Sequence, residues 1–427
     1  MKNQIQRSAF WRLFAAVFAL TLVAAACGSE AETASEEDVT EEASTDEETS
    51  TDEEEHDEED DHDHDEDEEH DDDEDATADD DAMADEAVCP TNLVIQTDWW
   101  PELEHGGTYQ LIGAGGEASQ DNFSYSGPIQ EQYAVGGIET VEVRAGGDAI
   151  SFTPALNEMA AQDDIFLAYV NTSDVVASWP TIEAIGVAGT LELNPQMLMW
   201  DPAQNDFSDP ASIGASGVTV LHFDGTAYID WLIGEGTITA DQTDPSYGGA
   251  PDRWLTSEGS IVQQGFATNE VYKYENDIEG WQQDVEFVLI HDLGFEDYPA
   301  MYTVEKSLLE EKSACLEVLV PVLQQAWVDY WADPTPVTDA LISVNETFDT
   351  YWTISEGLNT AGVALAEDTG IAGNGPDSTY GNFDLDRVQG LLDATLTIFQ
   401  ERGIDVPSDL TAEDVVTNEF IDESIGR

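Results

Sequence analysis

Residues 93–112 read LVIQTDWWPELEHGGTYQLI. The apolar run at 93–97 predicts a buried β-strand, because it is short and contains branched aliphatic side chains. Behind Pro101, residues 104–112 predict a helix. A strand that leads directly into a helix is the unit from which α/β domains are built, so this segment predicts that fold class.

The same alternation of short apolar runs and amphipathic stretches continues along the chain. It favours α/β over all-β, and the absence of a fixed-period repeat excludes solenoids and propellers. Further strands are predicted at 140–144, 165–170, 182–187, 218–222 and 285–291, and helices at 227–233, 304–330, 337–350, 353–365, 385–400 and 412–423. The roughly 340 residues after position 86 exceed one comfortable core, so two lobes are expected.

The N-terminus has the layout of a secretory signal peptide, predicted to span residues 1–26. Lys2, Arg7 and Arg12 precede an apolar segment at 14–23 that is too short for a stable membrane span. Residues 22–29, LVAAACGS, resemble the bacterial lipobox. This resemblance implies that Cys27 carries a lipid and anchors the protein to the outer face of the cell membrane; the alternative is an ordinary signal peptide with an incidental cysteine.

An acidic segment, predicted to be a disordered tether, covers residues 27–88. Between 30 and 86 it consists almost entirely of Asp, Glu, Ser, Thr and Ala, with four histidines, so it buries little apolar surface and repels itself. The favoured interpretation is a solvated spacer that lifts the domain off the membrane. Interleaved His and Asp also suit divalent cations, so a metal-capturing tract is the alternative.

The whole chain carries a formal net charge of −82, from 93 acidic and 11 basic residues. About −50 of this charge remains after position 86. Such a balance excludes nucleic acid as a partner, because binding its phosphates needs Lys and Arg. A shell of carboxylates with few lysines also indicates a salt-rich habitat, where screening relieves the repulsion between them.

The chain has three cysteines. If Cys27 is lipidated, Cys89 and Cys315 are left as a pair in an oxidising compartment. Cys89 precedes the first predicted strand and Cys315 lies inside a late predicted helix. A disulfide between them is therefore predicted.

Several segments, taken in order, resemble one branch of the periplasmic solute-binding proteins, which serves importers of nitrate, sulfonates, taurine, riboflavin and thiamine-pyrimidine precursors. The segments are LVIQTDWWP at 93–101 with Glu104-His105-Gly106 and Tyr109, DIFLAY at 164–169, QGFATNE at 264–270, DLG at 292–294 with Tyr298-Pro299, and GNFD at 381–384 with Arg387. The chain departs from the pattern by two insertions, at 113–138 and 204–217. Loop insertions at a cleft can change specificity, so the ligand cannot be copied from a relative.

This resemblance implies an α/β, type II periplasmic-binding-protein fold, with two lobes, two crossover segments and C-terminal helices. The domain would span 89–427, with lobe 1 at about 89–185 and 292–427 and lobe 2 at about 186–291. The implied role is the extracytoplasmic solute-binding component of an ABC importer. The chain would then be no enzyme, hold no cofactor, act as a monomer and have the permease subunits as partners.

Candidate ligand-binding residues follow from strand ends, because open α/β sheets bind ligands at the carboxyl ends of their strands. Asp98, Trp99 and Trp100 follow the first predicted strand. His105 and Tyr109 lie four residues apart on one helix face. Trp and Tyr rings would give flat walls against which a planar ligand can stack.

Two further strand ends add candidates. Asn171 and Thr172 follow the strand predicted at 165–170 and supply amide and hydroxyl groups. Gly225 and Thr226 precede a predicted helix, where free backbone amides can hold a ligand oxygen.

The resemblance to pyrimidine-precursor relatives implies that Glu270 bonds an amino-heterocycle. A buried carboxylate needs a partner, so a ligand amine or the neighbouring Tyr272 would have to satisfy it. No catalytic or metal-binding residue is predicted, because neither His222 nor His291 is accompanied by a ligand-spaced His or a nucleophile elbow.

The predicted ligand is planar, and neutral or weakly basic. Strong anions need Arg or Lys forks, and the region that forms the cleft offers only Arg144, Arg253 and Lys273 in a strongly negative field. A thiamine-pyrimidine precursor or a flavin-like heterocycle fits best. Nitrate-type or sulfonate-type anions and a metal-capturing receptor are the alternatives.

Overall fold

Two β-sheets organise the residues that the computed structural model describes, 87–427. The predicted signal peptide, Cys27 and nearly all of the predicted tether lie outside the described residues. Between positions 87 and 427, no helix is long and apolar enough to cross a membrane.

The described residues form twelve strands, which make up these two sheets. The strands are β1 Asn92–Gln96, β2 Glu117–Ser119, β3 Ser124–Pro128, β4 Thr140–Arg144, β5 Ile165–Val170, β6 Ala184–Ala188, β7 Gln196–Trp200, β8 Val220–Leu221, β9 Thr243–Asp244, β10 Val262–Phe266, β11 Glu286–Leu289 and β12 Met301–Glu305. The α-helices are α1 Gly106–Gln110, α2 Ala155–Ala161, α3 Thr172–Ser178, α4 Ser212–Ser216, α5 Ala227–Gly234, α6 Asp252–Thr256, α7 Glu270–Tyr272, α8 Leu309–Ala332, α9 Thr335–Phe348, α10 Glu356–Thr369, α11 Leu385–Glu401 and α12 Ala412–Val415.

The first sheet has seven strands in the order β2-β3-β4-β1-β5-β12-β6. At its centre, β1 pairs in parallel with both β4 and β5. Leu93 and Ile95 pack in one hydrophobic cluster and Val94 in another, so both faces of the central strand are covered. A continuous apolar run, in place of alternation, is what a strand buried on both faces requires.

The second sheet has five strands in the order β11-β7-β10-β8-β9. The chain leaves the first sheet after β6, enters the second at β7, and returns between β11 and β12. Two crossover segments, 189–195 and 290–300, therefore join the two sheets. The predicted two-lobed α/β fold is confirmed.

Some predicted elements differ from the observed ones. The helix predicted at 304–330 begins at Leu309, because the residues before it pair with β5 and β6 as β12. The helix predicted at 412–423 ends at Val415. The stretch 113–138 contains β2 and β3, which extend the edge of the first sheet.

Cys89 and Cys315 are joined by a disulfide in the structure. Cys89 lies just before β1 and Cys315 lies in α8, 226 positions further along the sequence. Both side chains are buried. The bond ties the start of the first sheet to the long helix that packs behind it.

Replacing Cys315 by Ser is expected to lower the free energy of unfolding by about 2–4 kcal/mol, because the unfolded chain gains freedom when the cross-link is lost. Urea unfolding at fixed salt measures the change. The double variant Cys89→Ser/Cys315→Ser should match the single one. Free thiols at both positions in the unreduced, unfolded protein would contradict the prediction.

Candidate functional site

The loop after β1 forms the first wall of a cleft between the two sheets. Thr97 fixes this loop, since its Oγ1 lies 3.0 Å from the backbone oxygens of both Arg144 and Trp99. Gly146 permits the close approach, because a Cβ at that position would lie 2.3 Å from the carbonyl carbon of Asp98. Asp98 and Trp99 are thereby held at the carboxyl edge of the first sheet, with their side chains partly exposed.

The end of β10 and the start of α7 form the opposite wall. The Phe266 backbone N–H donates to Glu270 Oε2 at 2.8 Å, and the Tyr247 hydroxyl donates to Oε1 at 3.3 Å. A Cβ on Gly265 would lie 2.9 Å from Cγ of Glu270, so the glycine lets this side chain lie across the strand. Glu270 is therefore a fixed, buried carboxyl group on the second lobe.

An aromatic cluster made of Trp99, Phe152, Phe223, Tyr247 and Trp352 lies at the cleft. The Trp99 ring centroid is 5.9 Å from that of Phe152 and 5.7 Å from those of Phe223 and Trp352. Phe223 is 4.9 Å from Tyr247. Since Phe223 and Tyr247 belong to the second lobe, the cluster joins the two lobes by edge-on ring contacts.

The walls enclose a cavity of about 330 Å³, at the small end of the range for ligand pockets. Its lining includes all five members of the aromatic cluster. The polar side chains that line it are Asp98, Thr153, Asn171, Gln196, Gln264, Glu102, Asp174, Asp224 and Glu270. Among residues 87–427, the lining contains five carboxyl groups and no Lys, Arg or His.

Glu102 and Glu104 lie in the first lobe and contact the second lobe; Glu102 also lines the cavity, and Glu104 does not. The Thr268 hydroxyl donates to Glu104 Oε1, and Asn269 Nδ2 donates to Glu102 Oε2 at 3.4 Å. Burial raises the pKa of Glu104 to about 7, against the opposing effect of the Thr268 bond. Burial, with the nearby Glu104 carboxylate, also raises the pKa of Glu102 well above its ordinary value.

Two further groups share this environment. Burial raises the pKa of Glu270, with the charge of Lys273 opposing the shift. Burial likewise lowers the pKa of Lys273, whose Nζ lies 3.5 Å from the ring centroid of Trp352. At the other side of the cavity, burial raises the pKa of Asp174 to about 6, although Asn171 Nδ2 donates to it at 2.8 Å.

Among the predicted site residues, Asp98, Trp99, Asn171 and Glu270 line the cavity. His105 lies one layer behind, where its Nε2 is 2.9 Å from Asp98 Oδ1. It orients Asp98 and is itself 1% exposed, so no ligand reaches it in this arrangement.

Three other predicted residues belong to the core. Trp100 packs edge-on against Phe123, and Tyr109 stacks on Tyr125. Thr172 is fully buried, with its hydroxyl near the carbonyl of Tyr298 and the sulfur of Met301. These side chains support the lobe and do not line the cavity.

The last three predicted residues lie outside the cavity lining. Gly225 and Thr226 use their backbone carbonyls to accept from Arg402, at 2.8 and 2.9 Å. Tyr272 turns toward α10, since a Cβ on Gly357 would lie 2.1 Å from its hydroxyl. Asp224, one residue earlier, lines the cavity instead of Gly225.

Sequence reasoning missed Glu102 and most of the aromatic cluster. Phe223 directly follows the strand predicted at 218–222, so the strand-end rule carried a signal for it. Phe152 and Trp352 lie in irregular loops. Phe152 has a positive φ of 57°, a conformation that the sequence would suggest only for glycine. Nothing local in the sequence marks those two residues.

No family model matches the sequence, and no curated protein matches it. Solved structures do match the fold. The periplasmic aliphatic sulphonate binding protein of Escherichia coli is 14% identical, with a TM-score of 0.50 over 77% of this chain and 92% of that one. A protein of Bordetella bronchiseptica RB50 is 11% identical (TM-score 0.49, 78% and 96% covered), as is the periplasmic nitrate-binding protein of Synechocystis PCC 6803 (TM-score 0.48, 77% and 87% covered).

At such identity a structural likeness establishes a fold and leaves the ligand open. The match to the Escherichia coli protein covers almost all of that chain. It agrees with the two sheets, the two crossover segments and the cleft between them. The chain therefore has the two-lobed α/β fold of the periplasmic solute-binding proteins.

Proposed function

We propose that the chain is the extracytoplasmic solute-binding component of an ABC importer. In this proposal it captures a small planar metabolite, neutral or weakly basic, between its lobes. The observation that carries the proposal is the cavity of about 330 Å³ lined from both sheets. A ligand in that position touches both lobes at once and stabilises their closed arrangement.

The residues of the cleft favour a planar ligand with N–H groups. Trp99 and Phe223, from opposite lobes, contact each other edge-on with ring centroids 5.7 Å apart, and both line the cavity with apolar surface. Asp98 and Glu270 offer oxygen acceptors for ring amines. A thiamine-pyrimidine-precursor-like or flavin-like heterocycle combines these two features.

The same lining argues against a strong anion. Strong anions such as sulfonates and nitrate need Arg or Lys side chains, or several converging backbone amides. The described residues that line the cavity include neither Lys nor Arg. The similar structures include sulphonate-binding and nitrate-binding proteins, but their ligands do not indicate what this chain binds.

The proposal includes a lipid at Cys27 and the permease subunits as partners. An anchored binding protein stays close to its transporter, which raises the local concentration of the loaded form. The acidic segment then acts as a spacer between the anchor and the domain.

Calorimetric titration of the purified chain with an aminopyrimidine, riboflavin, nitrate and taurine tests the proposal. A planar heterocycle is expected to bind at micromolar or lower Kd, and Trp99→Ala and Glu270→Gln should each weaken it by about tenfold or more. Trp281→Ala and Glu286→Gln are matched controls, since neither residue lines the cavity. Micromolar binding of an anion, unaffected by the two cleft substitutions, would overturn the heterocycle proposal.

A further inference from the structure

Two carboxyl groups of the cleft, those of Glu102 and Glu270, differ from the acidic shell that covers the protein. Surface carboxylates are solvated, and salt screens them. In the cleft, Glu102 is only 3% exposed and Glu270 only 7%. Burying a carboxyl group is costly unless a hydrogen-bond donor or a positive charge lies close to it.

Hydrogen-bond donors of the described residues reach only some of the carboxylate oxygens in the cleft. Both oxygens of Glu270 accept hydrogen bonds, from Phe266 N–H and from the Tyr247 hydroxyl. Asp98 uses one oxygen for His105. Glu102 has a single long contact, from Asn269 Nδ2 at 3.4 Å, and among the described residues no donor reaches its other oxygen. This buried side chain lines the cavity with an oxygen that accepts no hydrogen bond from the part of the chain that the structure describes.

One cation of the protein lies close by. Lys273 Nζ sits 3.5 Å from the Trp352 ring centroid, and its charge acts on Glu270 and Glu102. This ammonium carries one positive charge, whereas five carboxyl groups line the cavity. Its position shows that one ring of the cluster, Trp352, accepts a positive charge on its face.

We infer that the bound species is a small organic cation, with a protonated amine or amidinium group attached to a flat ring. Its N–H groups donate to Glu102 and Asp98, and its ring packs against the aromatic cluster that lines the cavity. The cation supplies a positive charge that none of the described lining residues provides. This inference rests on the proposed function of the cleft and adds the charge of the ligand to it.

Benzamidine and benzamide form the decisive pair of probes, because they have the same shape and differ in charge; benzoate adds the anionic counterpart. In calorimetric titrations of the purified chain, benzamidine is expected to bind at least about tenfold more tightly than benzamide, and benzoate not to bind up to about 10 mM. Glu102→Gln and Asp98→Asn should each weaken benzamidine by about tenfold and change benzamide less than about twofold. Glu286→Gln is the control, since this exposed carboxylate lies outside the cavity.

Equal affinity for benzamidine and benzamide overturns the inference, as does tighter binding of benzoate or no binding of benzamidine up to about 10 mM. If a neutral heterocycle then binds in the cleft and is weakened by Trp99→Ala, only the cation is refuted and the solute-binding function stands. If neither set of compounds binds and the lobes never close, both proposals are refuted.

Discussion

Raising the pH from about 5 to about 8 is expected to lower the free energy of unfolding of this protein by several kcal/mol. Burial raises the pKa of Glu104 to about 7 and that of Asp297 to about 7. In the unfolded chain both carboxyls titrate near 4. At intermediate pH the native state therefore holds protons that the unfolded state has released, so stability falls as the pH rises.

Each of these two groups contributes on the order of 3 kcal/mol across this window. Both are almost fully buried, so solvent screens little of the effect. Asp297 lies in the second crossover segment, where Ser173 donates to it through N–H at 3.0 Å and Oγ at 2.6 Å. Glu104 bonds Thr268 of the other lobe. The pH effect thus acts on contacts that join the two lobes.

Ion pairs set the acidic limit of this window. The pKa of Asp164 is lowered by its hydrogen bond from Arg144, and that of Asp414 by its bond from Lys306. Groups of this kind lose their stabilising contribution when the pH falls through their native pKa. Maximum stability is consequently expected between about pH 4 and about pH 6.

Urea unfolding over a pH series, in molar potassium chloride, measures the effect. High salt suppresses the repulsion among surface carboxylates, which would otherwise also weaken as the pH falls. Glu104→Gln and Asp297→Asn should each flatten the slope between about pH 5 and about pH 7, whereas the exposed Glu286→Gln should not. Stability that rises from about pH 5 to about pH 8 would refute the prediction.

Most strands of the central sheet can be predicted from the sequence, because a strand that is buried on both faces needs a continuous apolar run. The strands predicted at 140–144 and 165–170 have the same bounds as β4 and β5. Strand-end reasoning also led to Asp98 and Asn171, since parallel strands bring their carboxyl ends to one edge.

Prediction failed where tertiary contacts override a local pattern. The segment at 412–423 has hydrophobic residues that suit a helix, yet Val416 instead pairs with Gly186, and Thr417 N–H donates to the carbonyl of Gly186 at 2.9 Å. Trp99 and Trp100 are neighbours in an irregular loop, where no periodicity assigns one ring to the cleft and the other to the core.

A second large effect is expected from a single methyl group at Gly362, in the middle of α10. A Cβ there would lie 2.3 Å from the backbone oxygen of Thr268 and 2.4 Å from Cδ2 of Leu103. The backbone at Thr268 cannot retreat freely, because it leads directly into Glu270 of the cleft. Gly362→Ala is therefore expected to lower the free energy of unfolding by about 3 kcal/mol, despite the higher helix propensity of Ala.

Gly390 supplies the matched control, because it also lies within a long helix, α11, but no atom of the described residues lies within 4 Å of its Cβ position. Gly390→Ala should raise the free energy of unfolding by about 0.5–1 kcal/mol, the helix-propensity gain alone. Urea unfolding at fixed pH and salt compares the two variants. Because displacement of Thr268 also moves Glu270, Gly362→Ala should weaken ligand binding while Gly390→Ala leaves it unchanged. Stabilisation by both substitutions would contradict this prediction. It would show that α10 does not press on the segment that contains Glu270.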